Sequence, residues 1–546
     1  MNRKFKIITA SILAFLFLLG GGIATFFLWP TGDDDDGFIN IGMNISGSPY
    51  FFARQLIFND VMKTRNHVWG TEQIWQGGFT GNIHADGYPL GFTPNRPTYL
   101  WNESAPAVLI NNIYAGEYVF LYDGEGVIHF FGGVEIVSSQ PGRKNLTLSE
   151  STTQRGVVIR QSNPSNHLRN FRMIPVRYAN NESTMPLFRR DFLSALGGMH
   201  AIRFMDAQAT NDSIQRYWQN RPRVNDWSWH RPGLGLPLEV MIDLANELGT
   251  DAWFCVPHLA DDNYIREMAR LIRGRLNPNL RLFIEYSNEI WHPGFAQGRW
   301  VNNPNNACTH VVTELNRIQQ QYANQWNNNA NHHKQAFLMA RTFRIFEQEF
   351  AGTYRNRLVT VGVKTHMHLP FMQETIDFWK STDDLPDAIS ITAYFNFTQV
   401  DHDRWMQNPS TVTANDVLQA IFDGWDYYVE SQTNMANLIN ASGAKLIVYE
   451  GGQHMQPWNQ QVWPYNQAVW DAQIHPRMHE LYMKNFKLHK KLGVDLFMHF
   501  AFVGTRESRY GSWGALENVG DYNAPNMMQV APKWHAIIQA NNRLSR

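Results

Sequence analysis

The sequence predicts an α/β chain folded as a (β/α)8 TIM barrel, with a small antiparallel β-sandwich inserted after the first βα unit and a hydrophobic N-terminal segment. Three observations carry the prediction. Apolar strand-like runs alternate with amphipathic helical stretches along most of the chain, which argues against a bundle or an all-β fold. About eight such runs can be counted, the number that closes a barrel. No Gly-rich phosphate turn follows the first of them, which disfavours a doubly wound open sheet sharing the same alternation. At 546 residues the chain exceeds one compact core and suits a large domain carrying a smaller one.

Taken in order, FINIGMNI (38–45) reads as the first barrel strand and FFARQLIFNDVMKTRN (51–66) as a helix after it. The first part of the barrel thus occupies 37–100. From 101 to 176 the texture changes to short alternating runs, AVLINNI, EYVFLYD, GVIHFFGG, VEIVSS, NLTLS, GVVIRQS and FRMIPV, separated by Gly, Asp, Asn and Pro. That spacing suits an antiparallel sandwich. The remainder, 177–546, resumes the alternation. DFLSALGG reads as a helix and HAIRFMDA as strand two; LPLEVMIDLANELG follows as a helix with Pro237 near its first turn, Gly249 past its end, and Leu238, Met241, Ala245 and Leu248 on one face. DAWFCVP is strand three, and DDNYIREMARLI a helix with an Asp cap. RLFIEYSNE, RLVTVGVKT, DAISITAYF, KLIVYEGG and VDLFMHFAF supply strands four to eight.

Ahead of the barrel, Arg3, Lys4 and Lys6 precede an uncharged stretch from Ile7 to Trp29, and Asp33 to Asp36 follow it. Cations before and acids after fit a cytoplasmic stub and an exported body. The stretch is long enough to span a bilayer as a signal anchor, while Gly22 and Ala24 offer a cleavage site for a signal peptidase; both outcomes stand. An extracellular or cell-surface location is expected, with the membrane touched only through this segment. Sequons at Asn44, Asn102, Asn145, Asn181, Asn211, Asn396 and Asn440 are compatible with a glycoprotein. With only Cys255 and Cys308, a disulfide framework is excluded; one bridge is open, and two separate thiols are favoured, Cys255 being buried in a strand. The charge balance, 47 Lys and Arg against 48 Asp and Glu, lacks the basic excess that a nucleic-acid groove needs. Oligomeric state is left open.

Chemistry enters at two strand ends. Glu289 follows the fourth strand and Glu450 ends the seventh, on opposite sides of the barrel mouth, where active sites of this fold lie. Two carboxyls facing one cleft are the minimal machinery for glycosidic bond cleavage, one protonated as acid and one ionised as nucleophile. Glu285, an even number of residues before Glu289, points inward by strand alternation and reads as a buried, hydrogen-bonded carboxylate. Trp218, Trp227, Trp229, Trp291, Trp300, Trp405, Trp458 and Trp463 fall in loops after strands two, four, six and seven, where apolar pyranose faces could stack. Trp253 and Trp534 are assigned to the core. His258, His366 and His368 read as polar residues lining the mouth, because no Cys or carboxylate cluster completes a metal site.

SNE (Ser287, Asn288, Glu289) and YEGG (Tyr449 to Gly452) resemble the clan of retaining (β/α)8 glycoside hydrolases that includes cellulases, mannanases and β-galactosidases. RFMDAQATN, PHLADDNY and IEYSNEIWH are similar more narrowly to exported bacterial-type members of the barrel class, from Asn40 onward and including the insert. The resemblance implies Glu289 as acid/base, Glu450 as nucleophile and Asn288 on the sugar 2-hydroxyl. It further implies Arg203 on strand two beside the nucleophile, Tyr394 after strand six and His258 after strand three. A salt bridge from Arg203 to Asp206 or Glu450 is the competing, purely structural reading of that residue. The chain departs from the clan on strand eight, where a Trp platform is replaced by His499, Phe500 or Phe502; Trp513 stands in, with Trp291 and Trp229 as further substrate-binding candidates. The implied activity is hydrolysis of a β-linked polysaccharide or oligosaccharide by double displacement, without a metal or other cofactor. Transglycosylation by the same carboxylates, and a non-catalytic carbohydrate-binding or adhesion protein on the same barrel, are the alternatives.

Overall fold

The computed structural model describes residues 38–46, 55–64, 69–71, 79, 81–90, 106–109, 113–150, 155–229, 233–303, 320, 330–363, 368–456 and 462–544. The N-terminal hydrophobic segment, Cys308, His366 and Trp458 lie outside them. Among the described residues no helix is long and apolar enough to cross a membrane.

Strand β1 (Ile41–Asn44) opens the barrel. Eight antiparallel strands follow before the barrel resumes. They are β2 (Gly70–Thr71), β3 (Pro106–Leu109), β4 (Gly116–Asp123), β5 (Gly126–Phe131), β6 (Val134–Gln140), β7 (Arg143–Leu148), β8 (Gly156–Ser162) and β9 (Arg169–Pro175). These form two four-stranded sheets, ordered β2-β3-β8-β5 and β6-β7-β4-β9. Phe120, Leu146 and Met173 from one sheet and Ile128, Val157 and Ile159 from the other are buried in one cluster, joined by Trp69 and Tyr88. Along β4, Tyr118, Phe120 and Tyr122 turn to that cluster, while Val119 between them is buried as well, so the middle of this strand is covered on both faces.

The barrel continues through β10 (Ala201–Arg203), β11 (Asp251–Val256), β12 (Leu282–Tyr286), β13 (Leu358–Val363), β14 (Ala388–Phe395), β15 (Lys445–Gln453) and β16 (Phe497–His499). All eight barrel strands are parallel neighbours in chain order, and β16 returns to β1 through Ile41–Phe497 and Met43–His499, so the sheet is closed. Both of its faces are buried, as a parallel sheet's must be. Inward residues, among them Trp253, Phe283, Val361, Ile447, Tyr449 and Met498, fill the barrel, while Met43, Ile202, Phe254 and Ile284 pack outward under the helices.

The helix Leu238–Leu248 ends at Gly249 in the left-handed conformation, φ 63°, where a side chain would be strained. Its Met241 and Ala245 are buried against the barrel. The next helix, Asp262–Arg275, is capped by Asp261, whose carboxylate accepts the Tyr264 N–H at 2.7 Å. The helix expected over 51–66 is not found among its described residues. Only Val61–Thr64 form a turn of 3-10 helix. The reason lies in the backbone: Asn59 N–H donates to Leu187 O and Arg189 N–H to Ile57 O, and the Asn59 amide donates to Pro186 and Phe188 carbonyls. Helical bonding would forfeit all of these.

Candidate active site

Arg203 ends β10 inside the barrel, fully buried. A guanidinium there must have every donor met by an acceptor, preferably charged. It donates to Glu285 through Nε at 3.1 Å and through Nη2 at 2.9 and 3.1 Å, to Glu450 through Nη1 at 2.8 Å, to Asn44 Oδ1 at 3.0 Å and to Asn288 Oδ1 at 2.9 Å. Asp206, the other partner weighed from sequence, makes no ion pair with it among the described contacts. Glu285 accepts also from Trp253 Nε1 at 2.9 Å and Cys255 Sγ at 3.4 Å, so it is the buried, fully bonded carboxylate expected. Cys255 is a free, buried thiol.

The two candidate carboxyls reach the mouth by different distortions. After β12 the backbone turns left-handed at Ser287 (φ 57°) and again at Glu289 (φ 41°), a conformation costly for residues with a Cβ and concentrated at functional sites. On β15 the register with β14 skips Tyr449: Ile391 pairs with Val448 and Thr392 with Glu450. Strict alternation would send Tyr449 and Glu450 to opposite faces; this bulge brings both to the barrel mouth. Tyr449 Oη donates to Glu289 Oε1 at 3.0 Å, and Tyr394 Oη to Glu450 Oε2 at 3.0 Å.

Burial raises both carboxyls. Glu450 is pushed up to about 7 by burial, with Arg203 pulling down, Glu289 pushing further up, and the Arg203 and Tyr394 hydrogen bonds pulling down. Glu289 is raised by burial, with the Tyr449 hydroxyl opposing. Burial also raises Asp206 to about 7, together with the charge of Glu450. One cation therefore faces several acids in a confined space, and they cannot all be ionised. Glu450 receives a guanidinium and a phenol; among the described residues Glu289 receives a phenol.

Asn288 is fixed at both ends of its amide, its oxygen on Arg203 and its Nδ2 donating to Asn211 Oδ1 at 3.0 Å. Gln297 holds this arrangement, donating to Asn211 Oδ1 at 2.6 Å and Asn288 O at 2.9 Å. His258 is buried beside Trp300, ring centroids 5.7 Å apart, with Nδ1 lacking a hydrogen-bond partner among the described residues, and burial lowers it to about 4, so the ring is neutral. Trp291 lies edge-on to Tyr449 at 6.4 Å. On the Glu450 side, His454 packs between Tyr394 (4.9 Å) and Trp513 (5.9 Å), and Trp513 Nε1 donates to His454 Nδ1 at 3.3 Å. Phe500 meets Trp513 edge-on at 5.7 Å.

The structure thus brings together Glu289, Glu450, Asn288, Arg203 and Tyr394 directly, with Trp291 and Trp513 one ring removed. It does not bring Trp229 there. That indole is buried, edge-on to Phe58 at 5.0 Å and donating to Val224 O at 3.1 Å, and so belongs to the core. Trp405 and Trp463 are likewise buried, around Phe397. His368 precedes the helix Leu369–Ser381 without a capping side-chain bond, its ring tilted against Phe371 at 3.9 Å. The sequon at Asn44 is closed to glycosylation, since its amide is buried and donates to the Tyr449 and His499 carbonyls. Asn44, Asn211, Gln297, Tyr449 and His454 are the residues that sequence reasoning did not assign to the site. Only Asn44 gave a signal, as a polar residue ending an apolar strand.

No protein-family model and no curated protein matches the chain. Solved structures with a similar fold include a GH51 arabinofuranosidase from Xanthomonas axonopodis pv. citri, 15% identical, covering 59% of this chain and 61% of that one at a TM-score of 0.32. A GH39 enzyme from the same organism is 13% identical over 64% of this chain and 62% of its own, TM-score 0.36. A Bacteroidetes-affiliated GH5 cellulase is 11% identical over 64% and 83%, TM-score 0.33. The chain spans about three fifths of the length of the first two. Likenesses this low carry no argument about chemistry, which rests on the site itself.

Proposed function

We propose that the chain is a retaining glycoside hydrolase acting on a β-linked polysaccharide or oligosaccharide. The observation that carries this reading is the unequal pair at the mouth: Glu450 held by Arg203 at 2.8 Å and Tyr394 at 3.0 Å, and Glu289 held, among the described residues, by Tyr449. Glu450 attacks the anomeric carbon as Glu289 gives its proton to the departing glycosidic oxygen, leaving a glycosyl ester on Glu450. Glu289, now ionised, takes a proton from water, whose oxygen attacks the same carbon and releases Glu450. The amide of Asn288, pinned by Arg203 and Asn211, retains one N–H for the sugar 2-hydroxyl. Trp513 and Trp291 offer ring faces to flanking sugars. The cationic stub and long uncharged stretch at the N-terminus support action outside the cell or at its surface.

The test begins with a glycan panel scored by new reducing ends. On a responsive glycan, Glu450→Gln should abolish turnover with the fold intact, a 2-deoxy-2-fluoro glycoside should label Glu450, and NMR should show retention at the anomeric carbon. Inversion, or full activity in Glu450→Gln, refutes the assignment. Longer products beside shorter ones would redirect it to transglycosylation.

A further inference from the structure

In the inserted region, away from the carboxylate network and sharing no residue with it, His84, Asp86 and His167 place one ligand atom each within 4.8 Å of one another. His167 Nε2 lies 2.8 Å from Asp86 Oδ2, and His84 Nδ1 3.1 Å from Asp86 Oδ1. The two imidazole rings are 4.5 Å apart.

Two features make this more than a hydrogen-bonded group. His84 Nδ1 lies 3.3 Å from the Asp86 backbone nitrogen and 3.1 Å from Asp86 Oδ1, so a ring nitrogen and a carboxylate oxygen face the same space. A cation held by the unprotonated ring and the carboxylate would replace that contact. The spacing is within reach of one: ligands at 2.0–2.1 Å from a tetrahedral zinc are separated by ~3.3 Å, each ring nitrogen lies 2.8 or 3.1 Å from a carboxylate oxygen of Asp86, and the three ligand atoms fall within 4.8 Å of one another, so the two rings need only draw together to close on an ion.

The ligands are preorganised as well. His84 to Tyr88 form a tight turn, closed by Gly87 N–H to His84 O and His84 N–H to Tyr88 O, both 2.8 Å. Gly87 (φ 87°) sits against Trp227, whose Cδ1 would lie 1.9 Å from any Cβ, and its carbonyl accepts Trp69 Nε1–H at 2.9 Å. Asp86 Oδ1 takes the Tyr88 N–H at 3.1 Å, which aims the carboxylate. His167 comes from the β8–β9 connection, whose Asn163 and Asn166 donate to Glu125. A rigid shell of this kind is what a metal site needs.

We propose that His84, Asp86 and His167 form a three-ligand site for zinc or a kindred divalent transition ion, with water in the fourth position. Two imidazoles select such an ion over calcium or magnesium. It would clamp the His84–Tyr88 turn onto the sandwich.

The full-length, metal-stripped protein is titrated with zinc chloride by calorimetry, beside His84→Ala and Asp86→Asn; His84 is exposed, so its loss leaves packing intact. Wild type should bind one equivalent more tightly than His84→Ala by well over tenfold, since loss of a supporting partner alone costs about 10–100-fold. Cobalt chloride should give wild type, and not the variants, the visible bands of a four-coordinate ion. Zinc should raise the melting temperature of wild type only, and calcium chloride should not. Equal zinc affinity in wild type and His84→Ala, or no four-coordinate cobalt spectrum in wild type, overturns the proposal.

Discussion

Arg203 is the residue whose removal has the most calculable effect. In Arg203→Met, Glu285 keeps Trp253 and Cys255 but loses three N–H contacts to its one cationic partner among the described residues, in a place with no solvent access. Burial already raises Glu285 in the presence of Arg203. An orphaned buried glutamate titrates near 8–9, against about 4.3 in the unfolded chain. A raised folded pKa means stability present below the unfolded value and lost as pH climbs toward the folded one. At roughly 1.4 kcal/mol per unit, the variant should lose about 1 kcal/mol at pH 5 and about 3–4 kcal/mol at pH 7 through this group alone. Added to this is a pH-independent loss from the unpaired oxygens of Asn44 and Asn288. Urea unfolding at several pH values measures the slope. Adding Glu285→Gln should remove the part of the slope that Glu285 contributes, leaving that of Glu450, which loses Arg203 as well but keeps Tyr394. A pH-independent deficit, or a double variant as pH-sensitive as Arg203→Met, would refute the reasoning.

Three further outcomes are expected. Tyr394→Phe removes a donor to Glu450 and Tyr449→Phe one to Glu289, so each carboxyl rises further; the acid limb of the pH–rate profile moves up in the first and the alkaline limb in the second. Movement of the same limb in both would reverse the assigned roles. Lys533, buried with Nζ donating to Ser512 O at 2.6 Å, is pushed down to about 7 by burial. Its stabilisation is complete above the unfolded value near 10.5 and is lost as pH falls through about 7, so wild-type stability should climb from pH 7 to 10 more steeply than that of Lys533→Met, by thermal or urea unfolding. Trp513→Ala should raise KM with little loss of stability, whereas Trp229→Ala should cost about 3–5 kcal/mol in unfolding and leave KM alone; the opposite pattern would exchange their roles.

The barrel was legible because parallel strands buried on both faces are continuous apolar runs, and all eight fall where RLFIEYSNE, KLIVYEGG and their fellows stand. The sandwich was legible for the opposite reason, its strands being short and alternating. What failed was local pattern without tertiary context. Residues 51–66 are apolar enough for a helix, but Ile57 and Asn59 bond to a segment far along the chain. Trp229, Trp405 and Trp463 sit in loops by sequence yet are core, since loop membership does not fix where an indole points. Glu450 was found from its position, while the role of Tyr449 was hidden by the bulge, which no periodicity announces. Asn211 and Gln297 reach the site through Asn288, a relation visible in three dimensions alone.

Closure of the barrel places its first strand in an unusual position during synthesis. β1 finds one neighbour in β10 and the other in β16, and the bond from Asn44 to the carbonyl of His499 spans 455 residues. Until the eighth strand has left the ribosome, one side of the nascent sheet has open hydrogen-bonding groups, while the antiparallel insert, whose pairings all close between Gly70 and Pro175, is free to fold earlier. Contacts of such separation form slowly and leave sticky edges meanwhile. Truncations that remove β16 should therefore aggregate as a body rather than merely lose a strand.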